Sequence, residues 1–249
     1  MSERRPLVGG NWKMNLLRAE AASSCARLVE GLAGTVAEVV VFPPFPLLDI
    51  VAGGLAGSAA AWGGQDVHPE PHGAYTGDVS AALLADAGCT WALCGHSERR
   101  RDHGESDGLV ARKATAAAAA GLVPLICIGE SAEERRAGRT FEVLEQQLDG
   151  ALAGRPEPLA LAYEPIWAIG TGDTATPEMA QEAHRHIRQV LADLIGDAAA
   201  GAKRILYGGS ASPDNAASLI AQPDVDGFLV GGASLDPERF LAIIHSCGS

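Results

Sequence analysis

The feature that most constrains the fold of this 249-residue chain is the regular alternation of short apolar runs with longer alanine-rich or amphipathic stretches. Most of the apolar runs are continuous, which is typical of parallel strands that are buried on both faces. Because each run is followed by a helical stretch, the pattern favours an α/β fold, a closed (β/α)8 barrel formed as one domain by residues 1–249. The predicted strands are residues 7–10, 36–42, 59–63, 90–94, 123–128, 159–163, 204–207 and 227–230.

An open, doubly wound parallel sheet is the alternative architecture. It would require a Gly-x-Gly-x-x-Gly turn directly after the first strand, and Gly9-Gly10-Asn11-Trp12 does not supply one. The length of the chain also favours the barrel, because α/β barrels that form a single domain commonly have about this length.

Local signals predict where several helices begin. Residues 17–32 and 177–195 are the clearest helical stretches. Ser131 and Glu134 have the spacing of a capping box. Ser212 and Asp236 each precede a proline, which is the pattern of an N-cap followed by proline at the first helical position.

Charge and composition exclude several classes of partner and location. The net charge of −12 argues against binding to nucleic acid or to an anionic membrane surface, so an anionic ligand must be bound by local cations and backbone N–H groups. No apolar stretch is long enough to span a membrane, and the charged N-terminus does not resemble a signal peptide. Five cysteines without a C-x-x-C pair indicate free thiols, and we expect a soluble cytoplasmic protein.

Polar residues and glycines stand directly after the predicted strands. In a barrel these positions share one face, the mouth formed by the carboxyl ends of the strands, so residues far apart in sequence should lie together there. The candidates are Asn11 and Lys13 after the first strand, His96 after the fourth, Glu164 after the sixth, Ser210 after the seventh, and Gly231 and Gly232 after the eighth.

Glu164 is the candidate base. It ends an apolar strand and is followed by Pro165 and by a glycine-rich tip at residues 170–172, a pattern that indicates a catalytic carboxylate beneath a lid. The alternative interpretation is a salt-bridged glutamate that is followed by an ordinary turn.

His96 and Lys13 are the candidate groups for stabilising negative charge. Ser97 is expected to cap the helix that follows His96, and the positive end of that helix favours a neutral imidazole. The alternatives are a core histidine or a metal ligand, but the pair His68 and His72 is interrupted by Pro-Glu-Pro, and we expect no metal. Lys13 is either a fixed cation beside an anionic substrate or a solvated loop lysine.

Glycines follow the last two predicted strands, in Tyr207-Gly208-Gly209-Ser210 and in Val230-Gly231-Gly232-Ala233-Ser234. They fit tight turns, but the last two strands of a barrel are also where phosphate is often bound by backbone N–H groups. Two such turns together favour a phosphate site.

These segments together resemble the triosephosphate isomerase family in order and spacing over essentially the whole chain. The matching motifs are Gly10-Asn11-Trp12-Lys13-Met14-Asn15, Gly95-His96-Ser97-Glu98-Arg99-Arg100, residues 162–172, residues 207–210 and residues 226–235.

The resemblance implies interconversion of dihydroxyacetone phosphate and glyceraldehyde 3-phosphate without a metal or organic cofactor. It implies that the lid spans residues 165–175, where Asp173 replaces the family's usual lysine. The implied roles are Glu164 as the base, His96 as the neutral electrophile, Lys13 and Asn11 as stabilisers of negative charge, Ser97 and Glu98 as supporting residues, and Gly170, Ser210, Gly231 and Gly232 as phosphate-binding residues.

The resemblance also implies a homodimer in which the loop Tyr75-Thr76-Gly77 inserts into the neighbouring subunit, where Thr76 approaches Asn11 of the partner subunit. Asp78 departs from the family's usual glutamate, which pairs with the arginine that matches Arg99 across the interface. The shorter side chain is expected to weaken that pair.

Two other functions compete with this assignment. One is a paralogous isomerase of a related phosphorylated ketose such as a tetrulose phosphate, with the same chemical groups and a different pocket wall. The other is a catalytically silent barrel that serves as a binding protein, which the presence of Asn11, Lys13, His96 and Glu164 argues against.

Overall fold

The apolar runs form a closed barrel of parallel strands. A computed structural model describes residues 4–169 and 174–248, and in these ranges the strands follow the chain order around the barrel, with the first paired to the last. The predicted (β/α)8 barrel is therefore confirmed. The strands are β1 (Leu7–Asn11), β2 (Glu38–Phe42), β3 (Ala60–Gly64), β4 (Trp91–Cys94), β5 (Val123–Ile128), β6 (Ala160–Tyr163), β7 (Ile205–Tyr207) and β8 (Gly227–Val230).

Helices surround the barrel, and three short 3-10 helices lie at Phe45–Leu47, Ile166–Ala168 and Gly232–Leu235 within the described ranges. The helix predicted at residues 177–195 has those bounds, and the one predicted at 17–32 is one residue shorter at each end. The α-helices of the described chain are α1 (Arg18–Gly31), α2 (Leu48–Leu55), α3 (Ala81–Asp86), α4 (Ser97–His103), α5 (Asp107–Ala119), α6 (Ala132–Arg136), α7 (Thr140–Ala151), α8 (Pro177–Ile195), α9 (Asp197–Ala202), α10 (Ala216–Ile220) and α11 (Pro237–Ser246).

Two of the three predicted helix starts are confirmed. The Ser131 hydroxyl accepts the N–H of Glu134, and the Glu134 carboxylate accepts the N–H of Ser131, which completes the capping box of α6. Asp236 accepts the N–H groups of Glu238 and Arg239 and caps α11.

The prediction of a helix start at Ser212 is wrong, because α10 begins at Ala216. The Asn215 side chain accepts the Ser212 N–H at 2.8 Å and donates to the Ser210 carbonyl at 3.0 Å. This side chain holds a turn before the helix, since asparagine bonds well to the nearby backbone.

Both faces of the strands are buried, which explains why the apolar runs are continuous. Along β5, Leu125 and Cys127 belong to the cluster that fills the barrel, whereas Ile126 and Ile128 belong to the larger cluster between strands and helices. Burial of each such aliphatic side chain stabilises the fold by about 1.5–3 kcal/mol. None of the helices in the described chain is long and apolar enough to cross a membrane.

His184 on α8 is a fully buried titratable group in the outer core. Its ring lies between those of Tyr163 and Tyr207, with centroid distances of 5.7 and 6.4 Å, and its Nδ1 lies 3.1 Å from the carbonyl of Asp224. Burial lowers the pKa of His184 to about 4. As the pH falls below about 6.5, the unfolded chain therefore binds a proton at His184 that the folded chain does not bind.

We expect the stability of the protein to fall between pH 7 and pH 5, and His184→Gln to remove about 2 kcal/mol of that fall. The measurement is the free energy of unfolding in urea at fixed protein concentration as a function of pH. His186→Gln, on the same helix, is the control and should keep the wild-type slope because it retains His184. Equal slopes in all three proteins would contradict the assignment to His184.

Candidate active site

A cavity of about 470 Å³ opens at the carboxyl ends of the strands. Gly170, which was predicted to bind phosphate, and Asp173, which belongs to the predicted lid, lie outside the described residues. Sequence reasoning did not anticipate that Ser212, Asn215 and Arg239 also line the cavity. The predicted residues that the structure brings together in its lining are Asn11, Lys13, His96, Glu164, Ser210, Gly231 and Gly232.

Glu164 follows β6 and projects its carboxylate into the mouth of the barrel, where the residue is 2% exposed. One carboxylate oxygen lies 2.9 Å from His96 Nε2, and the other accepts the backbone N–H of Ser97 at 2.8 Å. The ends of β4 and β6 are thus joined directly through this side chain.

His96 itself caps α4, which corrects the expectation that Ser97 would do so. The Nδ1 atom of His96 accepts the N–H of Glu98 at 3.2 Å, and Ser97 is the first helical residue. Gly95 makes the turn before it with φ of 71°, and a Cβ there would lie 2.5 Å from Val110. A ring whose Nδ1 accepts a hydrogen bond carries its proton on Nε2, so this network assigns a neutral imidazole that donates to Glu164.

The charges around the pair act in opposite directions. Burial lowers the pKa of His96, but the Glu164 carboxylate raises it by charge and by hydrogen bond, and the net direction is upward. Burial raises the pKa of Glu164, but His96, the Ser97 N–H and Lys13 lower it, and the net direction is downward. Glu164 is therefore held as a carboxylate, ready to accept a proton.

Lys13 is held in the cavity by an unusual backbone conformation. Its φ is 52°, which is uncommon for a residue with a side chain. Its N–H donates to the Asn11 side chain at 2.9 Å, and its carbonyl accepts from Gln65 at 2.8 Å. Its ammonium group lies 2.6 Å from the Glu98 carboxylate, so Glu98 is placed against Lys13 rather than in the cavity lining.

The glycine-rich turns after β7 and β8 form another part of the cavity wall. Gly232 begins the short helix Gly232–Leu235, and Ser234 fixes the turn by donating to the Gly231 carbonyl at 2.7 Å. The Ser210 hydroxyl donates to the carbonyl of Ala168 at 2.6 Å, which connects the turn after β7 to the segment after Glu164. Such exposed backbone at the start of a helix suits an anion.

Glu130, which sequence reasoning missed, anchors the first part of the predicted lid. This fully buried carboxylate accepts from the Tyr163 hydroxyl at 3.1 Å, from Trp167 Nε1 at 2.8 Å and from Arg135 at 3.1 Å. The guanidinium of Arg135 also lies 4.3 Å from the centre of the Trp167 ring. The sequence did contain a signal for Glu130, because this residue follows a predicted strand as Glu164 does.

Comparison with known proteins gives full-length matches. The family model described as triosephosphate isomerase matches residues 6–247. A triosephosphate isomerase of Xanthobacter flavus is 51% identical, with 99% of each chain covered. One of Bordetella pertussis is 54% identical, with 96% of each chain covered, and one of Thermus thermophilus is 48% identical, with 98% of this chain and 100% of the relative covered.

Gly208 provides a test of the contact between Glu164 and His96. A Cβ at Gly208 would lie 2.9 Å from Glu164 Cγ and 3.1 Å from the Tyr163 carbonyl. We expect Gly208→Ala to displace Glu164 and to destabilise the fold by about 1–3 kcal/mol. Because the displaced carboxylate no longer raises the pKa of His96, that pKa should fall.

The measurement is an NMR titration of the histidine rings. Gly53→Ala is the control, because a Cβ at Gly53 meets nothing within 4 Å. An unchanged His96 titration in Gly208→Ala, or an equal shift in Gly208→Ala and the control, would contradict this account of the pair.

Proposed function

The chain belongs to the triosephosphate isomerase family, and on this premise we propose that it interconverts dihydroxyacetone phosphate and D-glyceraldehyde 3-phosphate. The observation that carries the proposal is the buried Glu164–His96 pair, which shares one cavity with Lys13 and the glycine-rich turns. We also propose that residues 1–249 form a single domain and that the reaction needs no metal or organic cofactor.

The reaction begins when Glu164 removes a proton from the hydroxymethyl carbon next to the ketone of dihydroxyacetone phosphate. The C–H electron pair forms a carbon–carbon double bond, and the carbonyl electrons move to oxygen, which gives an enediolate. Removal of such a weakly acidic proton requires a base and simultaneous stabilisation of the oxyanion. Glu164 supplies the base, and the Nε2–H of His96 and the ammonium of Lys13 face the oxygens.

Proton transfers then complete the isomerisation. His96 donates its Nε2 proton to the former carbonyl oxygen and takes a proton from the neighbouring hydroxyl, so the ring returns to its neutral form. Glu164 returns the first proton to the adjacent carbon, and the aldehyde forms. No proton or electron is gained or lost overall.

Substrate entry must separate Glu164 from His96, because their side chains are bonded directly at 2.9 Å. Separation removes the carboxylate that raises the pKa of His96, so the imidazole becomes more firmly neutral when substrate is bound. A neutral imidazole is the form that can donate to the carbonyl oxygen without first losing a proton. Asn11, Ser97 and Glu98 support this arrangement by holding Lys13 and the Glu164 carboxylate.

The phosphate is assigned to the backbone N–H groups of Gly170, Ser210, Gly231 and Gly232. The segment 165–175 acts as the lid that closes over it, and binding of the phosphate drives that closure. A closed lid excludes water, which strengthens the electrostatic interactions and protects the enediolate from loss of phosphate.

We expect Glu164→Gln to lower the turnover number by about 10²- to 10⁴-fold, because the amide cannot accept the proton. The measurement is isomerisation of glyceraldehyde 3-phosphate, coupled to enzymatic reduction of the ketone product. Glu182→Gln, an exposed site on α8, is the control and should retain wild-type turnover.

Fast turnover in Glu164→Gln would remove Glu164 from the role of base. Slow turnover in wild type and variant alike would overturn the proposed substrate. The tetrulose phosphates would then be assayed with the same two variants.

We also propose a cytoplasmic homodimer, formed through the loop Tyr75-Thr76-Gly77. Five free cysteines support the reducing compartment. The loop is exposed, and near the cavity the Met14 side chain is 94% exposed, an unusual state for so apolar a residue. Arg99 lies 2.9 Å from Asp66 within its own subunit, and the short Asp78 side chain is expected to make only a weak pair with it across the interface.

We expect wild-type protein to sediment as a dimer at micromolar concentration and Tyr75→Ala to raise the dissociation constant at least about tenfold, as loss of a buried aromatic anchor does. Analytical ultracentrifugation over a dilution series measures both. Phe141→Ala, at another exposed aromatic, is the control. A monomeric wild type would contradict the proposed dimer. An unchanged dissociation constant in Tyr75→Ala would show that the interface does not depend on this loop.

A further inference from the structure

Arg239 is a cavity-lining cation that the roles assigned above do not use. It lies in the first turn of α11, it is exposed, and it lines the same cavity as Lys13, Ser212 and Gly231. Among the described residues, no carboxylate forms an ion pair with its guanidinium.

The position of Arg239 is unfavourable for the stability of α11. A cation in the first turn faces the positive end of the helix dipole, where acidic residues are preferred. The two neighbouring acids do not compensate it directly, since Asp236 accepts backbone N–H groups and Glu238 pairs with Arg27. A residue that opposes its local environment in this way is often kept for function.

The charges of the cavity supply such a function. The protein carries a net charge of −12, and the cavity contains the Glu164 carboxylate, so an approaching phosphate dianion is repelled. Of the described lining residues, Lys13 and Arg239 are the lysine and arginine side chains, and the charge of Lys13 is largely balanced by Glu98 at 2.6 Å. Arg239 is therefore the uncompensated cation in the described lining.

We propose that Arg239 is a specificity-determining residue that attracts the phosphate dianion of the substrate to the wall formed by the turns after β7 and β8. This inference rests on the proposed function. Arg239 acts through its charge on the incoming phosphate and does not touch the reacting carbons. Attraction of this kind raises the rate of association and is weakened by salt.

The test compares Arg239→Gln, Arg239→Lys and wild type. Arg239→Gln should lower kcat/KM for glyceraldehyde 3-phosphate by about three- to tenfold at low ionic strength, mainly through KM, and the loss should shrink to less than about twofold in 0.5 M KCl. Arg239→Lys should restore most of the loss. Turnover of unphosphorylated glyceraldehyde and the melting temperature should not decrease.

Arg185→Gln is the matched control, because Arg185 is exposed on α8 and its replacement changes the net charge by the same amount. An equal loss in Arg185→Gln would assign the effect to the overall field and overturn the proposal. A loss that persists at high salt, or that extends to unphosphorylated glyceraldehyde, would indicate a structural role and overturn it as well.

Inorganic phosphate, titrated by calorimetry, separates this inference from the proposed function. Phosphate binding that is weaker in Arg239→Gln, but not in Arg185→Gln, supports the role of Arg239 even if wild-type protein does not isomerise the triose phosphate. Equal phosphate affinity in Arg239→Gln and wild type would overturn the role even if the isomerase assay succeeds.

Discussion

Closure of the barrel brings together the described residues that line the candidate active site. The strands are apolar on both faces, so each must pack inward against the other strands and outward against helices. Polar side chains are then tolerated chiefly where a strand ends. Because neighbouring strands are parallel around the whole barrel, those ends form one rim, and residues as distant in sequence as Asn11 and Gly232 line one cavity.

The Glu164–His96 contact shows how that rim prepares the chemistry. The two groups to which we assign proton transfer are buried together, and each one shifts the pKa of the other. The backbone N–H groups of Ser97 and Glu98 fix one carboxylate oxygen and one ring nitrogen, so the first turn of α4 orients both groups. In the proposed reaction this contact opens for substrate, which raises the pKa of Glu164 and lowers the pKa of His96.

The sequence was sufficient for the strands, because burial on both faces leaves a continuous apolar signal. It was also sufficient for the residues that end the strands. It failed at Ser212, where the Asn215 side chain stabilises a turn and delays the helix, and at Ser97, where His96 takes the capping position. In both cases a neighbouring side chain bonds to the backbone near the start of the helix, and which side chain does so depends on three-dimensional geometry.

Gln65 and Glu130 were missed for a related reason. Gln65 donates to the carbonyls of Lys13 and Phe42, and Glu130 accepts from Tyr163, Trp167 and the nearby Arg135, so most of their partners are distant in sequence. A strand-end position marks such a residue as polar at the rim, but it does not say which neighbours the residue will hold.

The segment after β6 connects the proposed phosphate site to Glu164, the proposed base. Glu164 begins this segment, Trp167 within it bonds to the buried Glu130, and the Ala168 carbonyl accepts the Ser210 hydroxyl from the turn after β7. In the proposed function, a phosphate at the turn after β7 acts on Ser210, which bonds to Ala168 in the segment that begins at Glu164. By this proposal, the binding energy of the phosphate, which does not react, is transmitted through the segment to Glu164, so that a small substrate is both bound and converted.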